Sequence, residues 1–274
     1  MIKTKCVSIS KGEKSALNED AVIARKNVIA VSDGAGGGGL FADRWSHYLL
    51  KHLPTSPIGS AEGLDNWIGS IWENYYNRAE ESAKRLGGME LDKFYDEGSF
   101  ATLAAVWYQP ANSICHWIAY GDSVVFHYDY DTKELRHSFT ALADFDRPPY
   151  LINCKDELNP AGFRSGDFAM TSTSFVFVTS DAFAHYVLMM YELSKSETYR
   201  SELREASAAN SKNGNILKRA SALFGINFER DVIEKLRKGV YDESRFAKWV
   251  RALCGKGLLA FDDCSAAVMY EVRG

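Results

Sequence analysis

Positive charge is not in excess in this chain: 32 Lys and Arg stand against 36 Asp and Glu, a net charge of −4 over 274 residues. That leaves no broad cationic field for a polyphosphate backbone, so nucleic acid is not an expected partner. Long apolar runs are missing as well. None approaches the roughly 20 residues that span a bilayer, and residues 1–13 lack the apolar stretch of a signal peptide. The expectation is a cytoplasmic protein with no membrane partner. Cysteines are few and scattered: Cys6, Cys115, Cys154, Cys254 and Cys264 are odd in number and form no C-x-x-C pair. Neither a disulfide framework nor a zinc ribbon follows from them, and they read as reduced, mostly buried thiols. Histidines are also sparse. His116 and His127 fall inside strand-like runs, where a satisfied structural imidazole is the simpler reading than a metal ligand.

What is present is an ordinary globular mix, 46% hydrophobic and 25% charged. Strand-like runs at 6–10, 21–25 and 27–32 open the chain, and the third ends at Asp33-Gly34. Apolar residues from Leu40 to His52 then recur at helical spacing until Pro54 and Pro57 stop them. Leu64, Trp67, Ile68, Ile71, Trp72, Tyr75, Tyr76 and Ala79 trace a second helix, with Ser60 as its N-cap. The period changes at residues 99–108, 114–120 and 123–130, which read as an antiparallel meander. Because both faces of the first are apolar, it is expected to lie between layers. Residues 140–172 read as irregular. Residues 174–180 form a buried strand, and a helical stretch over about 182–255 follows. Phe228, Val232, Ile233 and Leu236 lead to Gly239 there, and Phe246, Trp249, Val250 and Leu253 lead to Gly255, each glycine read as a C-cap. A strand at 264–272 closes the chain. With no repeat or linker, the expectation is one α+β domain over 1–274, helices covering paired antiparallel sheets. The helical stretch is expected to pack beside the sheets, either as their outer layer alone or also as a selector of partners.

One arrangement recurs. A hydrophobic strand stops and an aspartate follows, at Ser32-Asp33-Gly34, Tyr120-Gly121-Asp122, Thr179-Ser180-Asp181 and Phe261-Asp262-Asp263, while Asn18-Glu19-Asp20 stands just before a strand. One such Asp is a turn residue. Four or five at one sheet edge would repel strongly, and a bound cation resolves the conflict. Carboxylates are hard oxygen donors suited to Mg²⁺ or Mn²⁺, and a pair of such ions can activate water for phosphoryl transfer. The run Gly34-Ala35-Gly36-Gly37-Gly38-Gly39 also fits G-x-G-x-x-G after a strand. No second parallel strand ending in an acid follows it, however, and no Lys-Ser/Thr, so neither a dinucleotide site nor a Walker-type loop is supported.

The order of these motifs resembles the metal-dependent protein phosphatases of the 2C family. Asn18-Glu19-Asp20 resembles the opening acidic motif, and Asp33-Gly34-Ala35-Gly36-Gly37 the D-G-x-G-G turn. Gly98-Ser99 through Ala104 resembles the small-residue strand, Gly121-Asp122-Ser123 the G-D-S turn, Ser180-Asp181 the S-D-G motif, and Asp262-Asp263-Cys264-Ser265 the closing D-N-x-[ST]. The resemblance implies a four-layer α-β-β-α sandwich with metals at one end. It further implies that Asp33 bridges two Mn²⁺ or Mg²⁺ ions, with the Gly34 carbonyl and Glu19 on one and Asp181 and Asp262 on the other. Asp20 would orient water, and Asp122 would hold a looser third ion. The glycines would let the chain turn sharply beside the metal.

The chain departs from the pattern at several points. The arginine that grips substrate phosphate in many members is Ser15 here, with Lys14 beside it as a substitute cation that lacks a bidentate fork. Ala35 stands where some members carry His, Val124 replaces the Arg after G-D-S, and Ala182 and His185 replace the Gly and the last Asp of S-D-G-x-x-D. The implied function is a bacterial-type phosphoserine/phosphothreonine phosphatase, acting on phosphoproteins of a cognate Ser/Thr kinase pathway. The cysteines offer no alternative chemistry, since none begins the C-x5-R loop of a thiol phosphatase. The alternative reading is a catalytically weak or silent relative that binds phosphoproteins without turnover.

Overall fold

Residues 1–12 and 17–271 are described in a computed structural model. The chain runs β1 (Ile2–Ile9), β2 (Ala21–Arg25), β3 (Val28–Ser32), α1 (Ala42–His52), α2 (Ala61–Leu86), α3 (Gly88–Glu97), β4 (Phe100–Ala101), β5 (Leu103–Gln109) and β6 (Ile114–Tyr120). It continues through β7 (Val124–Asp129), β8 (Leu135–His137), β9 (Ile152–Asn153), β10 (Phe163–Ala169), β11 (Ser174–Thr179), α4 (Asp181–Ser194), α5 (Arg200–Ala208), α6 (Lys212–Ala220), α7 (Glu234–Gly239), α8 (Glu243–Gly255) and β12 (Cys264–Glu271). Two antiparallel sheets of five strands form, ordered β1-β12-β11-β7-β8 and β10-β6-β5-β3-β2.

Side chains alternate across a strand, and this alternation builds the layers. In β3, Ile29 and Val31 meet Val176, Val178, Ala267 and Met269 of the other sheet. Val28 and Ala30 point the opposite way and join Trp45 and Leu49 of α1 and Leu64 and Ile68 of α2. In β11, Val176 and Val178 fill the inter-sheet layer while Phe175 and Phe177 join Phe183 and Val187 of α4. Truncating a fully buried ring such as Phe177 to Ala should cost about 3–5 kcal/mol. The result is the expected α-β-β-α sandwich.

The helix over residues 61–79 forms as its spacing predicts, and Ser60 caps it by accepting a hydrogen bond from the Gly63 N–H at 3.0 Å. It runs on to Leu86, where Gly87 at φ 70° ends it. The glycine stops further on differ from expectation. Gly239 and Gly255 are the last residues of α7 and α8 and keep right-handed backbone, and Gly257 (φ 65°) makes the reversal. The helical stretch resolves into α4 to α8. Residues 182–192 of α4 are buried all round, as expected of a helix apolar on every face. Phe183 meets Phe246 and Trp249 of α8 on its outer side.

Two expectations are corrected. The run at 99–130 is not a meander, because β5 pairs with β6 but β7 pairs with β11 and β8 in the other sheet. Gly121-Asp122-Ser123, which looks like a hairpin turn, is therefore a crossing between sheets. Residues 140–172 are not wholly irregular: β10 pairs with β6 from Phe163↔Tyr120 to Ala169↔Ile114. Its polar sequence, Arg164-Ser165-Gly166-Asp167, carries no strand signal. Gly166 is required because a Cβ there would meet the Trp117 ring at 2.7 Å. His127 and His116 both engage protein partners. His127 stacks on Phe168 and hydrogen-bonds Ser174, and burial pushes it down to about 4. His116 pairs with Asp167 across the strands.

Candidate functional site

Register decides where the strand-end acids go. Ser32 at the end of β3 lies opposite Ala21 at the start of β2, and Tyr120 at the end of β6 lies opposite Leu103 at the start of β5. In the other sheet, Thr179 at the end of β11 lies opposite Val124 at the start of β7 and Ala266 near the start of β12, whose Cys264 pairs with Ile9 at the end of β1. One edge of each sheet thus collects Asp20, Asp33 and Asp122, or Asp181, Asp262 and Asp263. The two edges coincide, since Asn18 Nδ2 donates to Ser8 Oγ at 2.7 Å and Ser8 Oγ meets Ser265 Oγ at 2.7 Å.

Asp33 is fixed by its backbone. Its N–H donates to Thr102 Oγ1 at 3.1 Å, its carbonyl accepts from the Thr102 N–H at 2.8 Å, and Thr102 Oγ1 meets Ser123 Oγ at 2.6 Å. The glycine run after it turns, but not through left-handed backbone: among the described glycines with positive φ, none lies between 34 and 39. Close approach is the reason instead. A Cβ on Gly34 would sit 2.6 Å from the Glu19 carbonyl oxygen, and one on Gly36 would sit 2.0 Å from Glu19 Oε1.

Asp263 holds Lys11 and Glu19, which lie between β1 and β2. One of its carboxylate oxygens accepts from the Lys11 N–H at 2.6 Å and the other from the Glu19 N–H at 2.8 Å. This brings the Lys11 ammonium to 3.1 Å from Glu19 Oε2 and 3.4 Å from Asp262 Oδ1. Burial works against that charge, but the hydrogen bond to Glu19 and the carboxylates of Asp262, Asp263 and Glu19 outweigh it and raise the pKa of Lys11.

The acids perturb one another. Burial, then the charges of Asp20, Asp181 and Asp122, lift Asp33 well above the carboxylate range. Burial and Asp262 raise Asp181. Asp122 is pushed up to about 7 by burial and Asp181, against the opposing pull of Arg164. Asp20 also rises to about 7, chiefly through burial. The hydroxyls of Ser180 and Ser265 lie near enough to favour its charged form, yet neither carboxylate oxygen has a partner in hydrogen-bond geometry. Among the described residues, no three Asp, Glu, His or Cys side chains form a ready-made ligand set. The donor chemistry nevertheless fits a hard divalent cation: all donors are oxygens, they repel one another, and two buried oxygens of Asp20 are unpartnered.

Asp20, Asp33, Asp122, Asp181 and Asp262 therefore stand within one another's electrostatic reach, and Glu19 joins them through Lys11. Lys14 and Ser15 lie outside the described residues. His185 is 3% exposed and faces Phe145 inside the core, so it takes no part in the rim. Val124 is likewise a core residue. Two cations were not legible. Lys11 carries no motif, and Arg164 sits in a stretch without strand signal. The Arg164 guanidinium donates to the Gly121 carbonyl and lies 5.3 Å from the Phe139 ring centroid.

No protein-family model matches the sequence, and no curated protein matches it. Solved structures do share its architecture. Stp1, a serine/threonine phosphatase of Staphylococcus aureus, matches with a TM-score of 0.56 and 13% identity over 100% of this chain and 96% of that one. The fold is that of bacterial serine/threonine phosphatases. The catalytic domain of PstP, solved with two manganese ions, gives 0.54 and 16% over 99% of each chain. PppA of Pseudomonas aeruginosa gives 0.52 and 14% over 98% and 97%. This agrees with the fold that the motif order implies.

Proposed function

We propose that the chain is a divalent-metal-dependent phosphatase acting on phosphoserine and phosphothreonine in proteins. The observation that carries this reading is the register of the two sheets, which gathers carboxylates from separate strand ends onto one rim. Asp33, the Gly34 carbonyl and Glu19 would hold one Mn²⁺ or Mg²⁺, Asp33, Asp181 and Asp262 a second, and Asp122 a looser third. When bound, such ions activate water and neutralise charge developing on a transferring phosphoryl group. The protein's part is positioning. Thr102 and Ser123 fix the backbone of Asp33, and Asp263 fixes the loop that carries Glu19. Asp20, whose two carboxylate oxygens lack a partner, would orient a water. Reduced cysteines fit the cytoplasmic location that we propose, and no helix among the described residues is long and apolar enough to cross a membrane.

The test is hydrolysis of para-nitrophenyl phosphate at saturating Mn²⁺ and after exhaustive chelation. The expected result is turnover that disappears on chelation and returns with Mn²⁺. Full activity after chelation would refute the metal mechanism. Metal binding without turnover would favour the silent phosphoprotein-binding relative.

A further inference from the structure

A side-chain cation would add to what bound ions can do for a phosphoryl group, and the position where many 2C phosphatases carry arginine is Ser15. The described residues bring other cations to the rim. Arg164 is committed to the Gly121 carbonyl and the Phe139 ring. Lys11 is placed differently. Its ammonium reaches Glu19 and Asp262 together, two acids that the proposed function assigns to different ions. Lys11 therefore stands between an acid assigned to one ion and an acid assigned to the other.

An ammonium has three donors, and the two carboxylates account for two of them. The Lys11 side chain is 39% exposed and borders an open cavity of about 380 Å³ that Phe261 and Asp262 also line. Its backbone is not free to drift, because its N–H is held by Asp263. That grip uses one carboxylate oxygen while Glu19 uses the other, so an Asn at 263, the family's usual residue, offers one acceptor where two donors converge. The Asp-for-Asn departure and the lysine thus form one device.

We propose that Lys11, positioned by Asp263, is the side chain that binds the phosphoryl group of the substrate, in the role that sequence reasoning gave to Lys14. This rests on the phosphatase reading above. The test compares wild type, Lys11→Gln and Lys11→Arg, all Mn²⁺-loaded. For Lys11→Gln, KM for para-nitrophenyl phosphate should rise roughly tenfold or more, as for loss of one charge-assisted hydrogen bond. The inhibition constant of inorganic phosphate should weaken by the same factor, with kcat nearly unchanged. Lys11→Arg should restore most of both. Manganese affinity, measured by calorimetry, should rise modestly in Lys11→Gln and stay near wild type in Lys11→Arg, because only the first removes the cation beside Glu19 and Asp262. An unchanged KM, or tighter manganese binding with unaltered phosphate affinity, would overturn the proposal and leave Lys11 as a neutraliser of the acids. Should wild type bind manganese yet hydrolyse nothing, the phosphatase reading fails. Calorimetric binding of inorganic phosphate to the same proteins then still decides for or against Lys11.

Discussion

Asp33 and Lys11 face the same rim but are held there differently. Asp33 follows a fully buried interior strand and exchanges hydrogen bonds with Thr102, which is itself tied to Ser123 at the sheet crossing. Lys11 lies in the loop between β1 and β2, where its backbone N–H hangs on one carboxylate, that of Asp263. Glu19 joins the two parts, since its carbonyl accepts from the Gly34 N–H at 3.1 Å and from Ser46 Oγ at 2.6 Å. The difference teaches that the strand-borne acids are preorganised by the sandwich, so their loss should be read in chemistry. The loop-borne groups depend on a local clamp, so their loss should be read in binding.

Three substitutions sharpen that contrast. The largest effect is expected for Asp33→Asn, which weakens two ion sites at once and should lower turnover on the order of 10³-fold or more, the scale of losing a preorganised electrostatic group. The protein should still fold, because removing one of several mutually repelling carboxylates relieves repulsion. Steady-state turnover of para-nitrophenyl phosphate and a thermal melt check both points. An intermediate effect is expected for Asp263→Asn. One of the N–H groups of Lys11 and Glu19 loses its acceptor, and a buried hydrogen bond to a charged group contributes about 1.5–3 kcal/mol. The loss should appear in KM more than in kcat, and equal loss in both would erase the distinction between the two parts of the rim. The smallest effect is expected for Asp122→Asn, below about tenfold if a group touching only a labile ion contributes less than one full electrostatic contact. A loss equal to that of Asp33→Asn would show that Asp122 belongs with the tightly held set.

Much of this was legible in the sequence, for identifiable reasons. Strands such as Val28–Ser32 and Ser174–Thr179 are buried along their length, so apolar composition alone marks them, and the acids that end them fall at fixed offsets. The stripe from Leu64 to Ala79 and its Ser60 cap follow from periodicity. What was illegible depends on partners distant in sequence. Nothing local says that β7 leaves β6 for β11, because a Gly-Asp turn serves a hairpin and a crossing equally well. The strand Phe163–Ala169 is built by pairing with β6, not by propensity. Glycine composition suggests a conformational role for the 34–39 turn, whereas Gly34 and Gly36 spare volume beside Glu19. Lys11 looks like any surface lysine until Asp263, 252 residues away, places it.

The number of ions the rim holds decides most directly whether it is a metal centre. Manganese content per chain, measured by elemental analysis alongside calorimetric titration, should show two tightly bound ions in the wild-type protein and the loss of both in Asp33→Asn. Wild-type protein that binds no manganese, or Asp33→Asn that keeps both ions with near-native turnover, would contradict the assignment of Asp33 as the shared ligand and with it the reading of the rim as a metal centre.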